Sequence, residues 1–158
     1  MLTSVFQKLP VTALSMNEDH IFVGQGGTVQ IFKFFKENQL TLFQELQLFK
    51  NSVVHGIKCV SFSNALEVIV YGGKNVSVLT SDCSDENFKE KHKFECYDWV
   101  LDTTFIQGPQ RCIAVALAHN TVLIIDLQTS AFLHEIHCKE KCILYSAHFI
   151  QYGEQLTA

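Results

Sequence analysis

His20-Ile21-Phe22-Val23-Gly24-Gln25-Gly26-Gly27-Thr28-Val29-Gln30-Ile31-Phe32-Lys33-Phe34 places two alternating apolar runs on either side of a glycine pair. In the second run Val29, Ile31 and Lys33 share one face while Gln30, Phe32 and Phe34 take the other, a period of two that belongs to a strand. Gly26 and Gly27 tolerate the positive φ that a tight hairpin turn needs. The arrangement returns twice, as Val76-Ser77-Val78-Leu79 after the turn residues Lys74-Asn75, and as Val122-Leu123-Ile124-Ile125 after His119-Asn120. The first residues of these runs fall at 29, 76 and 122, in steps of 47 and 46.

A second pattern keeps the same time. Val11-Leu14-Met16, Ile57-Val60-Phe62, Val100-Thr103-Phe105 and Leu144-Ala147-Phe149 each end on a large apolar anchor, and the anchors are spaced by 46, 43 and 44. Two phases with one period identify a repeat, which has to be recognised before any motif is read. Within the first unit the chain divides into four short strands, near 11–16, 20–24, 29–34 and 40–49. Four antiparallel strands every 40 to 45 residues or so predict a β-propeller blade. A single blade has two apolar faces and must stack on neighbours to cover them.

The expected architecture is therefore all-β, an incomplete propeller of about three blades plus the start of a fourth. The units lie approximately at 10–55, 56–99, 100–142 and, truncated, 143–158. The fourth strand of a blade is its outer edge, which charge protects from unwanted pairing. Lys89-Glu90-Lys91-His92-Lys93 occupies that edge in the second unit. Expressed alone, such a chain should expose two open blade faces and self-associate.

Composition agrees with buried short strands: 47% of residues are hydrophobic and 18% charged, against about 25% charged in an average domain. The net charge is −4, and Arg111 is the sole arginine. No stripe of Lys and Arg is present to release counterions from a phosphate backbone. Lys8 and Pro10 interrupt the opening before a secretory h-region forms, and no apolar run approaches the roughly 18 residues of a membrane span. Cys59, Cys83, Cys96, Cys112, Cys138 and Cys142 are read as reduced thiols of a protein of the cytosol or nucleus.

The third unit, His119-Asn120-Thr121-Val122-Leu123-Ile124-Ile125-Asp126-Leu127, resembles the end of a WD repeat. Ile125 stands where that family has tryptophan and Asp126 where it has aspartate; in the earlier units the pair is Phe32-Lys33 and Leu79-Thr80. Val60-Ser61-Phe62-Ser63 resembles a WD-repeat first strand. Longer strings, Leu9-Pro10-Val11-Thr12-Ala13-Leu14, Asp98-Trp99-Val100-Leu101-Asp102, Ala116 through Val122 and Cys138 through Cys142, look like the amino-terminal region of the WD repeat-containing protein 6 family. The resemblance implies a cytoplasmic, non-catalytic regulatory scaffold that partners an FtsJ-type 2′-O-ribose methyltransferase acting on the wobble nucleotide of tRNA anticodon loops. The methyltransferase would hold S-adenosylmethionine and perform the chemistry, with tRNA met inside the complex rather than through a basic patch on this chain. The other reading is a general WD-repeat hub for protein complexes unrelated to RNA.

In an up-and-down meander the second-to-third and fourth-to-first connections emerge at the same end of each blade. His55, Lys74, Asn75, Asp98, Trp99, His119 and Asn120 should thus gather on one rim, and loops on a rigid scaffold are where binding concentrates. Trp99 is expected to pack between blades, with an interface anchor as its alternative role.

Catalytic and metal chemistry find no assembled set. His134, His137, Cys138, Cys142 and His148 are zinc-ligand types without paired short spacings. Gly24-Gln25-Gly26-Gly27 is followed by a strand, not by the helix a dinucleotide loop requires. No Gly-x-Ser-x-Gly elbow occurs, and Asp98 and Asp102 read as ligands of loop amides. No cofactor is expected and no enzyme emerges.

Overall fold

The computed structural model describes residues 9–35, 39–62, 65–82, 85–106, 108–137 and 139. Among them twelve strands follow one another in chain order. β1 (Val11–Met16), β2 (His20–Gln25), β3 (Thr28–Phe35) and β4 (Gln39–Gln47) form one antiparallel sheet with strands in sequential order. β5 (Gly56–Phe62), β6 (Ala65–Gly72), β7 (Asn75–Asp82) and β8 (Asp85–Glu95) form the second in the same way. β9 (Val100–Ile106), β10 (Cys112–Leu117), β11 (Thr121–Asp126) and β12 (Phe132–His137) form the third. The truncated unit expected over 143–158, with its anchor Phe149, lies outside the described residues.

Stacking is visible in single strands. On β6, Val68 and Val70 belong to a core shared with Phe22, Val29 and Ile31 of the first sheet. Their neighbours Ile69 and Tyr71 belong to a second core with Ile113, Val115 and Ile125 of the third sheet. The period of two thus sends alternate residues to opposite neighbours, and Val68, Ile69 and Val70 are all fully buried. β10 is buried along its whole length. The middle sheet leans on both others, and among the described residues the three sheets form an open arc.

The hairpin turns explain why the strands stop where they do. Gly26 (φ +53°) and Gly73 (φ +59°) are the positive-φ turn residues of the first two blades, and Asn120 (φ +60°) takes that role in the third. The second turn is therefore Gly73-Lys74, one residue earlier than the Lys74-Asn75 read from the sequence, and Asn75 already pairs within β7. The third turn spans 118–120. Gly24-Gln25-Gly26-Gly27 is a hairpin running into β3.

Each turn also ties its blade to the next. Gly26 O accepts the amide of Val54 at 2.7 Å, and Gly73 O accepts that of Val100 at 2.8 Å. Gly27 O accepts the amides of Leu48 and Phe49, and Lys74 O that of Cys96. These bonds pin the end of one blade and the start of the following one to the same turn.

Candidate functional site

The first strands of the second and third sheets begin, and their second-to-third turns lie, at one common end of the arc. There the junction between those sheets gathers most of the expected rim. Lys74 Nζ donates to Tyr97 O at 2.8 Å. Asp98 Oδ2 accepts the His119 amide at 2.9 Å and lies 2.6 Å from His119 Nδ1. Trp99 O accepts the Ala118 amide, and Thr121 Oγ1 donates to His119 O. Asn120 sets the turn and Asn75 pairs with Glu95 at the start of β7. His55 stands one junction away, its amide bound to Tyr71 O at 2.8 Å.

Trp99 does not pack between blades: the residue is 54% exposed, and Tyr97 beside it is 57% exposed. The reason is local. Val100, not Trp99, is the fully buried residue whose amide docks on Gly73, so the alternation of the strand's start turns Trp99 outward. Two large aromatic faces thus flank the His119–Asp98 pair on an otherwise polar rim.

Electrostatics hold this corner in one arrangement. Burial pushes the Asp98 carboxyl up, but hydrogen bonds from the His119 ring and from the Trp99 and His119 amides outweigh it and keep the group below the usual carboxylate range. Burial, reinforced by the Glu135 carboxylate that its hydroxyl binds at 2.6 Å, raises the Tyr97 phenol. Burial alone pushes the Cys96 thiol up to about 11, so it stays protonated and unreactive near neutrality. Cys59, Cys96 and Cys112 are all free thiols.

Two polar ties between blades were not foreseen. Asp102, expected to serve loop amides, does bind the Thr103 amide at 2.9 Å, but it also takes Lys58 Nζ at 3.1 Å and the Tyr71 hydroxyl at 3.2 Å. Gly56 makes this possible, because a Cβ there would stand 2.2 Å from the Tyr71 ring. Arg111 pairs with Glu67, a buried carboxylate on β6. The only signal in the sequence was the solitary arginine. No group of three metal-ligating side chains occurs among the described residues. His134 and His137 lie on β12, while Cys138, Cys142 and His148 lie outside the described residues.

No family model matches the chain. Over 154 residues, 92% of its length, it is 29% identical to the tRNA (34-2'-O)-methyltransferase regulator WDR6 of Pongo abelii, and equally to that of Homo sapiens. Identity to the Mus musculus protein of the same name is 25%. The chain spans 13–14% of the length of these relatives. Among solved structures it superposes on the Neurospora crassa Pan2 WD40 domain with a TM-score of 0.64 at 14% identity, covering 87% of this chain and 40% of that one. With the Myceliophteria thermophila Cps50 (Swd1) β-propeller domain the TM-score is 0.69 at 12% identity, covering 88% and 46%. The chain is thus a stretch of WD-repeat β-propeller, related in sequence to the WD repeat-containing protein 6 family.

Proposed function

We propose that this chain is part of a non-catalytic scaffold that assists 2′-O-ribose methylation of the wobble nucleotide of tRNA. The observation that carries the reading is the similarity, running through 92% of the chain, to proteins named as regulators of that methylation. The partner is a methyltransferase of FtsJ type, which supplies the cofactor and the chemistry in the cytoplasm. The rim of His55, Lys74, Asn75, Asp98, Trp99, His119 and Asn120 is the contact surface, and its exposed aromatic pair, Tyr97 and Trp99, supports that assignment. With a formal charge of −4 and a single arginine, the chain meets tRNA inside the assembly rather than by a phosphate-binding stripe of its own.

Nucleoside analysis of tRNA from cells lacking the protein is the test. Loss of 2′-O-methylation at nucleotide 34, restored by the wild-type protein, is the expected result. Normal methylation in its absence would leave the general interaction hub as the surviving reading.

A further inference from the structure

The two blade junctions are built alike but close differently at their outer ends. β3, β7 and β11 align through Val29, Val76 and Val122, so Ser77 on β7 corresponds to Leu123 on β11. Their partners on the outer strands are Lys93 and Glu135, which therefore occupy equivalent positions. Likewise Leu48 and Cys96 correspond, since the amide of each is held by the second residue of its blade's turn, Gly27 and Lys74.

At the first junction Lys93 Nζ reaches back across the gap and donates to Leu48 O at 2.9 Å. At the second junction Glu135 stands in the place of that lysine. A carboxylate cannot donate to the Cys96 carbonyl, and Glu135 turns instead to the Tyr97 hydroxyl. At the second junction this place is a cleft of about 470 Å³. Buried Cys96 and Leu123 line it together with Phe132, Leu133 and His134, and the exposed Glu95 and Glu135 stand at its lip.

Among the described residues the strand beside this cleft also carries less charge than its counterpart β8. β8 carries the run Lys89 to Lys93, whereas β12 is six residues long, exposed throughout, and presents Phe132, Leu133 and Ile136. Among the described residues only β11 pairs with it. An edge strand of this kind accepts an added strand.

We propose that the cleft between β12 and 95–97 is a docking site for an extended segment of a protein partner in which a lysine or arginine adjoins an apolar residue. The apolar side chain lies against Phe132 and Leu133, and the cation occupies the lip beside Glu135, making to the Cys96 carbonyl the contact that Lys93 makes to the Leu48 carbonyl at the sister junction. The acidic lip selects against a nucleic acid, whose phosphates it would repel. The volume is that of an ordinary recognition cleft, about 300–1,000 Å³. The inference stands apart from the methylation reading, since it concerns the chemistry of a peptide and not the identity of its owner.

The test is selection of random twelve-residue peptides displayed on phage against the protein expressed from its complete reading frame. Enriched sequences should carry Lys or Arg next to an apolar residue, and their affinity should fall roughly tenfold or more on Glu135→Lys, which installs the internal bridge. Glu135→Gln keeps the shape and removes the charge, and should weaken binding in the same direction, so a folding defect in the first variant cannot account for the result. No enrichment, enrichment without basic residues, binding indifferent to both variants, or displacement of the peptides by a single-stranded RNA would each overturn the proposal.

Discussion

Residues one repeat apart in the chain meet across the blade junctions: Ser15 with Cys59, Gln44 with Phe88, Lys58 with Asp102 and Glu67 with Arg111, each pair 44 positions apart. The period read from the apolar anchors is thus also the distance at which polar side chains find partners, which the composition of either partner alone does not reveal. Glu67 is the sharpest case, because it is buried and charged while Arg111 is half-exposed. Arg111→Leu strands that carboxylate and should cost roughly 3 kcal/mol in urea unfolding, whereas Glu67→Gln with Arg111→Leu should cost less, since no charge is left alone. A double variant at least as damaged as the single one would contradict this account. Asp98 tests the rim in the same way. Its folded pKa lies below the unfolded value of 3.8, so the stability it contributes is complete above that value and is lost as pH falls through the folded one. Asp98→Asn should therefore cost about 1–2 kcal/mol at pH 6 and less at pH 3, and a difference that grew in acid would refute the assignment.

At the scale of the element, turns and outer strands decide how blades are bounded. Gly26 and Gly27 look interchangeable in sequence but do different jobs. Gly26 supplies positive φ, and a Cβ there meets only the end of the Leu9 side chain at 3.2 Å, whereas a Cβ on Gly27 would meet the Phe49 carbonyl oxygen at 1.8 Å. Gly26→Asn, a residue that tolerates positive φ as Asn120 does in the third turn, should cost under about 1 kcal/mol. Gly27→Ala must force apart the strap between blades and should cost roughly 3 kcal/mol or more in thermal unfolding. Equal effects would show that the backbone approach is not what requires glycine. The alternating strands were legible because period and turn chemistry agree. The second turn was placed one residue late because Asn75 is as good a turn former as Gly73, and only the positive φ at Gly73 separates them. Trp99 was misplaced for a related reason: its size argues for burial, but the register fixed by the Val100 amide points it outward.

Across the whole molecule, each sheet hides its apolar side chains against the next, and where no described neighbour covers a face the side chains stay bare. On the first sheet Leu14, Met16, Leu40 and Leu42 are 67%, 64%, 46% and 53% exposed, the kind of contiguous surface that drives association. The isolated 158-residue chain should sediment as oligomers, and Leu14→Lys with Leu42→Lys should shift it toward monomer. The middle sheet allows the most direct test, because Val68 and Ile69 are adjacent, fully buried and committed to different cores. Hydrogen exchange read by mass spectrometry should show Val68→Ala releasing protection in β2 and β3 while sparing β10 and β11, and Ile69→Ala doing the reverse. Identical exchange patterns for the two variants, or effects confined to the middle sheet, would contradict a structure held together by neighbouring sheets.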